Sequence, residues 1–273
     1  MPEPAQTTPA ASWRFSAPIS VAELIALLEA EDARAGTALL VGGGQSLVPG
    51  FRAGRYAPAH LIDVMRIEPL RRIVIKPEGA RIGAAATFSD LLRSDVAQGW
   101  PVLAEALRHV GTVPIRNRTS VGGNLAWAEP RAEWPLMIKA FNARIHTNLR
   151  VIAGIDFAIG ANRTALRANE VILEVELPPL HHPMAFAETM GRNSAGRGVV
   201  LVAVARNDNL IRVTVGGLVD RAVMSPWLSL DESRSWLDAE VARFSVLADP
   251  FHSLSYRMAV AKSLIARCAE RTR

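Results

Sequence analysis

Two glycine-rich runs constrain this chain more than any other feature. The first, Gly42-Gly43-Gly44-Gln45-Ser46-Leu47-Val48-Pro49, directly follows the apolar strand candidate Ala38-Leu39-Leu40-Val41. The second lies in the stretch GTVPIRNRTSVGGNLAWAEPRAEWP, residues 111–135, between two apolar segments that read as helices, so it is expected to be a loop on a rigid scaffold. Consecutive amides without Cβ atoms around them can form a concave nest for an anion. Ser120 and Asn124 add short hydrogen-bonding groups on either side of Gly122 and Gly123. A Gly-Gly pair taken alone is more often a tight turn. Neither run has a standard phosphate-loop spacing: no Gly-Lys-Ser/Thr follows the first, and Leu47 stands where a G-x-G-x-x-G run would place its third glycine. Two such loops point to a nucleotide-binding fold outside both standard classes.

Composition narrows the alternatives. With 273 residues, 49% hydrophobic and 21% charged, the chain can bury a large core divided among two or three subdomains. A net charge of +5 and a pI near 10.1 raise the question of nucleic acid. The arginines are scattered over every segment and form no stripe interleaved with aromatics, so no nucleic-acid partner is expected. No apolar run reaches the length of a membrane span. Residues 1–12, MPEPAQTTPAAS, lack the basic start and apolar centre of a signal peptide and read as a flexible tail, which implies a cytoplasmic protein. The single Cys268 precludes an intrachain disulfide and an iron–sulfur cluster held by this chain alone, and its apolar neighbours suggest a packing role. The histidines do not cluster, and no metal site is expected.

In chain order the reading is α+β. Ser20-Val21-Ala22-Glu23 is a capping box opening a helix that ends near Gly36. The strand Ala38–Val41, the first glycine loop and a strand at His60–Val64 complete a first subdomain, residues 13–65. Residues 72–75 and 80–84 flank Pro77-Glu78-Gly79 as a hairpin, Thr87 begins another helix, and Trp100–Val110 is a helix leading into the second loop. A helix over Glu133–Asn142 and strands near 143–147, 151–155 and 170–177 finish a second subdomain, residues 66–179. Pro178-Pro179-Leu180-His181-His182-Pro183 reads as a linker. Beyond it, residues 180–273 form a small α+β domain: a hairpin of Val199–Arg206 and Leu210–Gly216 around Asn207-Asp208-Asn209, then helices near 231–243 and 253–269.

The chain offers little chemistry of its own. No Gly-x-Ser-x-Gly elbow is present, and no pattern ties a histidine to Ser46 or Ser120, so no catalytic residue is assigned. Glu129 and Glu133 are the only paired carboxylates. Their expected place in the first turn of a helix is explained by the macrodipole as well as by a ligand role.

Five segments in this order carry a family resemblance: GGGQSLVP (Gly42–Pro49), HLIDV (His60–Val64), the 111–135 stretch, GANRTALRANEVILEVELPP (Gly160–Pro179) and DPFHSLSYRMAVAKSLIARC (Asp249–Cys268). Spread in the same order along nearly the whole chain, they resemble the FAD-binding medium subunit of the molybdenum hydroxylases, the xanthine and carbon monoxide dehydrogenase type. The resemblance implies a two-subdomain FAD-binding fold of the vanillyl-alcohol-oxidase/PCMH type plus the C-terminal domain. It implies FAD on this chain, held by Val41, Gly42, Gly43, Gly44, Gln45, Ser46, Leu47 and Val48 and by Ser120, Val121, Gly122, Gly123 and Asn124. By the same resemblance Val110 lies near the ring system, Glu133 near the adenosine part, and Leu173 makes a backbone contact. Plain core packing would explain Val110 and Leu173 equally. The implied partners are a small subunit with [2Fe–2S] clusters and a large molybdopterin subunit in a dimer of heterotrimers, with electrons leaving to an external acceptor.

The chain departs from that pattern after the linker. Glu188 and the run Gly191–Val199 replace a basic residue and a Gly-Asp-aromatic run, and Trp127 replaces a smaller or polar residue, which would reshape the adenine end. A stand-alone FAD oxidoreductase and an interaction subunit lacking FAD are the alternative readings.

Overall fold

The structure, a computed structural model, describes residues 14–33, 38–55, 58–191 and 198–273. The expected tail 1–12 and residues 192–197 of the departing run lie outside the described residues. Strands β1 (Arg14–Ser16), β2 (Ala38–Val41) and β3 (His60–Asp63) form a parallel sheet in the order β1-β3-β2. β1 is a three-residue edge strand with no sequence pattern to announce it. Helix α1 (Val21–Ala33) packs Leu24 and Leu28 over this sheet against Ile62 and Ile67. Ser20 Oγ accepts from the Glu23 amide at 3.1 Å, while the Glu23 carboxylate reaches one residue further back than expected, to the Ile19 amide at 2.9 Å. Parallel neighbours need a crossover, and between β2 and β3 it consists of the first glycine loop and the short helix α2 (Leu47–Arg52).

The middle layer is an antiparallel sheet in the order β4-β5-β10-β6-β7, made of β4 (Ile73–Lys76), β5 (Gly79–Gly83), β6 (Arg144–Thr147), β7 (Val151–Ala153) and β10 (Ile172–Leu177). Lys76 pairs with Gly79, so Pro77-Glu78 is the turn of the expected hairpin. Between β5 and β6 come α3 (Phe88–Arg93), α4 (Val96–Gly99), α5 (Pro101–His109), α6 (Val113–Arg116), α7 (Val121–Trp127) and α8 (Glu133–Ala140). Helix α3 opens on a capping box of Thr87 and Asp90. The strand expected over 151–155 stops at Ala153, where the chain turns into α9 (Gly154–Phe157); the ribbon β8 (Ala158–Gly160) and β9 (Arg163–Thr164) then leads towards β10.

The third layer is antiparallel, β11 (Met184–Met190), β12 (Gly198–Asn207), β13 (Leu210–Gly216) and β14 (Val223–Met224), followed by α10 (Leu230–Val241) and α11 (Leu254–Arg271). Asn207 pairs with Leu210, so Asp208-Asn209 alone make the turn. β12 is buried on both faces, which accounts for its unbroken apolar run. Leu201 and Ala203 join Phe186 in the core shared with α8, while Val200, Val202 and Val204 join Ile265 and Cys268 of α11. The core is therefore continuous across the Pro178–Pro183 connection, and the Trp100 indole donates to the Pro178 carbonyl at 2.9 Å. Among the described residues no helix is long and apolar enough to cross a membrane, and no group of side chains could hold a metal ion.

Candidate functional site

A cleft of about 310 Å³ opens between the first and second sheets, a volume at the lower end of ordinary ligand sites. It lies at the carboxyl end of parallel strand β2, where ligands of open α/β sheets gather. One end is formed by Gly42–Leu47 together with Thr119, Ser120, Gly122, Gly123 and Asn124. Leu39, Leu40, Val64, Ala84, Ala126, Trp127, Leu166, Val171 and Ile172 make the rest largely apolar, with Glu170 beside them.

The two glycine runs meet here, and they do different work. In the first, the amides of Gly43, Gly44, Gln45 and Ser46 donate to no acceptor among the described residues. Gly44 has φ +73°, in the left-handed region that favours glycine. Four consecutive uncommitted amides bordering an apolar cleft suit an anion. The second run is not the expected loop: Gly122, Gly123 and Asn124 belong to α7, whose first turn Ser120 caps by accepting from the Gly123 amide at 3.3 Å. Its amides are already used, Val121 on the Ala86 carbonyl at 2.9 Å, Gly122 on Ala84 at 2.8 Å and Asn124 on Ser120 at 3.0 Å. Gly122 of this run serves close packing, as do Gly42 and Gly43 of the first. A Cβ on Gly122 would stand 2.7 Å from that of Ala84, and side chains on Gly42 and Gly43 would run into Ser120 and the Arg118 carbonyl.

Of the expected site residues, Gly42, Gly43, Gly44, Gln45, Ser46, Leu47, Ser120, Gly122, Gly123 and Asn124 line the cleft. Val41, Val48, Val110, Val121, Glu133 and Leu173 are absent from its lining, for separable reasons. Val41 ends β2 with its carbonyl accepting from the Val64 amide, and Val48 is 44% exposed on α2. Val110 and Val121 are in the middle core. Glu133 is buried at the start of α8, and Glu129 lies before that helix beside a separate small cavity. Leu173 packs in the core beneath α1, its carbonyl accepting from the Ala84 amide at 2.9 Å.

Asn124 Oδ1 is buried with no hydrogen-bond partner, an acceptor at the cleft waiting for a donor. Sequence reasoning missed Glu170, which holds the far wall. Its carboxylate accepts from Arg150 Nε at 2.9 Å and Nη2 at 3.2 Å, Thr147 Oγ1 at 2.8 Å and the Arg167 amide at 2.8 Å. Burial pushes this carboxyl up, but the hydrogen bonds from Arg150, Arg167 and Thr147 outweigh it and leave the pKa lowered to about 2. Asn148 adds an acceptor to the Val171 amide at 2.8 Å, so the β6–β7 turn clasps the segment carrying Leu166, Val171 and Ile172. The one available signal was a carboxylate placed directly before an apolar strand. Glu188 is elsewhere, on β11, with His109 Nδ1 2.9 Å from its Oε1; burial raises its pKa, and the charge and hydrogen bond of His109 oppose that only in part.

Residues 11–180 match the family model described as the FAD binding domain in molybdopterin dehydrogenase. The chain belongs to that family. Over 93% of its length it is 28% identical to the nicotine 6-hydroxylase medium subunit of Paenarthrobacter nicotinovorans, covering 95% of that protein. It is 33% identical to the carbon monoxide dehydrogenase medium chain of Hydrogenophaga pseudoflava over 66% of this chain and 61% of that one. A solved structure of carbon monoxide dehydrogenase from the same organism superposes with a TM-score of 0.84 at 26% identity, covering 95% of this chain and 96% of that one. The fold is thus the α+β, PCMH-type FAD-binding fold with a C-terminal α+β domain, and the chain is an FAD-binding oxidoreductase subunit of the molybdenum hydroxylase type.

Proposed function

We propose that this chain is the electron-transfer subunit of a three-part molybdenum hydroxylase, taking electrons from [2Fe–2S] clusters on a small partner and delivering them to an external acceptor. FAD supplies the redox capacity when bound; this chain's residues supply its seat. The observation that carries the reading is the run of free amides from Gly43 to Ser46 at the end of an otherwise apolar cleft, inside the segment that matches the family. Those amides suit the pyrophosphate, and Asn124 Oδ1 suits a hydroxyl or amino donor. The apolar walls exclude water from the flat rings. Glu170 and Arg150 keep the wall in place without a free charge facing the cofactor. No residue here is assigned to substrate hydroxylation, which belongs to the large molybdopterin subunit. The division at 13–65, 66–179 and 180–273, the dimer of heterotrimers and a cytoplasmic location are parts of the same proposal.

Co-expression with the small and large subunits tests it. The expected result is one co-migrating yellow-brown complex whose flavin is released by acid precipitation, in the soluble cell fraction. A chain that elutes apart from the iron–sulfur subunit at micromolar concentration, yet is yellow and turns over alone, would instead be a stand-alone flavin oxidoreductase.

A further inference from the structure

The segment joining α5 to α7 carries an apolar tip that the fold leaves uncovered. Val113, Pro114 and Ile115 of α6 are exposed, Val113 at 57%, although the residues around them are held firmly. Arg116 Nη1 donates to the carbonyls of Arg108, Val110 and Gly111 at 3.3, 2.9 and 2.9 Å, closing the end of α5. Ser89 Oγ donates to Asn117 Oδ1 at 2.6 Å, and Thr119 Oγ1 donates to the Ile115 carbonyl at 2.9 Å. A single exposed apolar side chain is ordinary. Three in a row on a pinned turn are already in the form a partner would bind, with little ordering left to lose.

The surroundings of the tip define the partner's chemistry. Residues 108–118 contain Arg108, Arg116 and Arg118, and residues 48–55 contain Arg52 and Arg55, with no aspartate or glutamate in either stretch. Those five charges equal the formal net charge of the whole chain, +5. The two stretches are far apart in sequence and are drawn together where Gly43, in the loop leading to α2, packs against the Arg118 carbonyl. Val48 and Pro49 of α2 add exposed apolar surface on that side. Among the described residues no ion pair engages Arg52, Arg55, Arg108 or Arg118. An apolar centre with a cationic rim suits an apolar patch with an acidic rim. Position then selects the partner. Thr119 and Ser120, which continue the tip, line the cofactor cleft, as do residues 42–47 ahead of α2. Electron transfer falls steeply with distance, so the subunit that exchanges electrons with the cofactor has to sit against the rim of that cleft, a demand that does not fall on the large subunit. We propose that the surface made by residues 48–55 and 108–118, centred on Val113, Pro114 and Ile115, is the docking site of the iron–sulfur small subunit, which meets it with an acidic-rimmed apolar patch. The inference rests on the electron-transfer reading above.

The test titrates the full-length, FAD-loaded chain with the purified small subunit at about 0.05 and 0.5 M salt, which span weak and strong screening. The flavin-to-protein ratio and the thermal midpoint report that each variant is loaded and folded. Val113→Glu places a charge at the centre of the surface and is expected to weaken association roughly thirty-fold or more, while Val113→Leu keeps it within about two-fold. Wild-type affinity should fall with salt, and Arg118→Gln should weaken binding at low salt and lessen that fall. Leu210→Glu, an exposed apolar position at the β12–β13 turn of the C-terminal domain, is the control and should bind as wild type does. Wild-type affinity in Val113→Glu, an equal loss in Leu210→Glu, salt-independent binding, or loss of flavin in place of the partner would overturn the proposal. So would a Val113→Glu chain that keeps the small subunit but no longer co-purifies with the large one, which would assign the tip to that subunit. A wild-type chain that carries FAD but binds no small subunit fails at the functional reading itself, a result separable from all of these.

Discussion

Gly122→Ala separates local preference from tertiary packing by the sign of its effect. Gly122 lies in the first turn of α7, and alanine is favoured over glycine inside a helix by about 0.8–1.0 kcal/mol. Helix propensity alone would make the variant more stable. The structure places the added Cβ 2.7 Å from Ala84 Cβ and 3.1 Å from its carbonyl oxygen, against an ordinary carbon–carbon contact of about 3.5–4.0 Å. The helix must retreat from the end of β5 by about 1 Å. That stretches the Gly122 N–H···O=C Ala84 bond of 2.8 Å. Overpacking of this kind costs about 1–3 kcal/mol, and weakening the hydrogen bond adds about 0.5–1.5 kcal/mol. The sum exceeds the propensity gain, so a net loss of about 0.5–3.7 kcal/mol is expected. Gly123→Ala is the milder comparison: its Cβ meets only the Ser120 hydroxyl, at 2.7 Å, so its cost is bounded by loss of the Ser120 cap, about 0.5–2 kcal/mol, and is partly offset by the propensity gain. Urea unfolding of the flavin-free chain measures both. An unfolding midpoint for Gly122→Ala equal to or above wild type would refute the reasoning, because α7 would then not be held against Ala84 as described.

Three further outcomes are expected. Ser120→Ala removes the cap of α7 and should lower stability by about 0.5–2 kcal/mol, read as a fall in the thermal midpoint. Glu170 has a folded pKa lowered from 4.5 to about 2, so its contribution to stability is fully present above pH 4.5 and lost as pH falls towards 2; Glu170→Gln should unfold at lower urea than wild type at pH 7, with the gap narrowing by pH 3, and a gap that is constant or widens with acid would contradict this. Cys268 is fully buried and its thiol pushed up to about 11, so it should resist a disulfide-exchange reagent at pH 8 until urea unfolds the chain.

What the sequence by itself determined was the local and the ordered. The α1 start at Ser20, the Pro77-Glu78 turn, the hairpin of β12 and β13 and the terminal helix were legible because each follows from neighbours a few residues apart. The order of five family segments identified the fold, and ten of the sixteen expected site residues do line the cleft. Only the tertiary structure decided what each glycine is for. Gly43 and Gly122 look alike in sequence and both permit a close approach, Gly43 to the Arg118 carbonyl and Gly122 to Ala84, a residue 38 positions away, yet the Gly43 amide is free while the Gly122 amide is already committed. The same holds for Glu170, whose clasp depends on Thr147 and Arg150 across the β6–β7 turn, and for Val110 and Val121, which share apolar character with true wall residues but face the core. Hydrogen-bond saturation and side-chain direction depend on which distant segment is adjacent, and no local pattern carries that information.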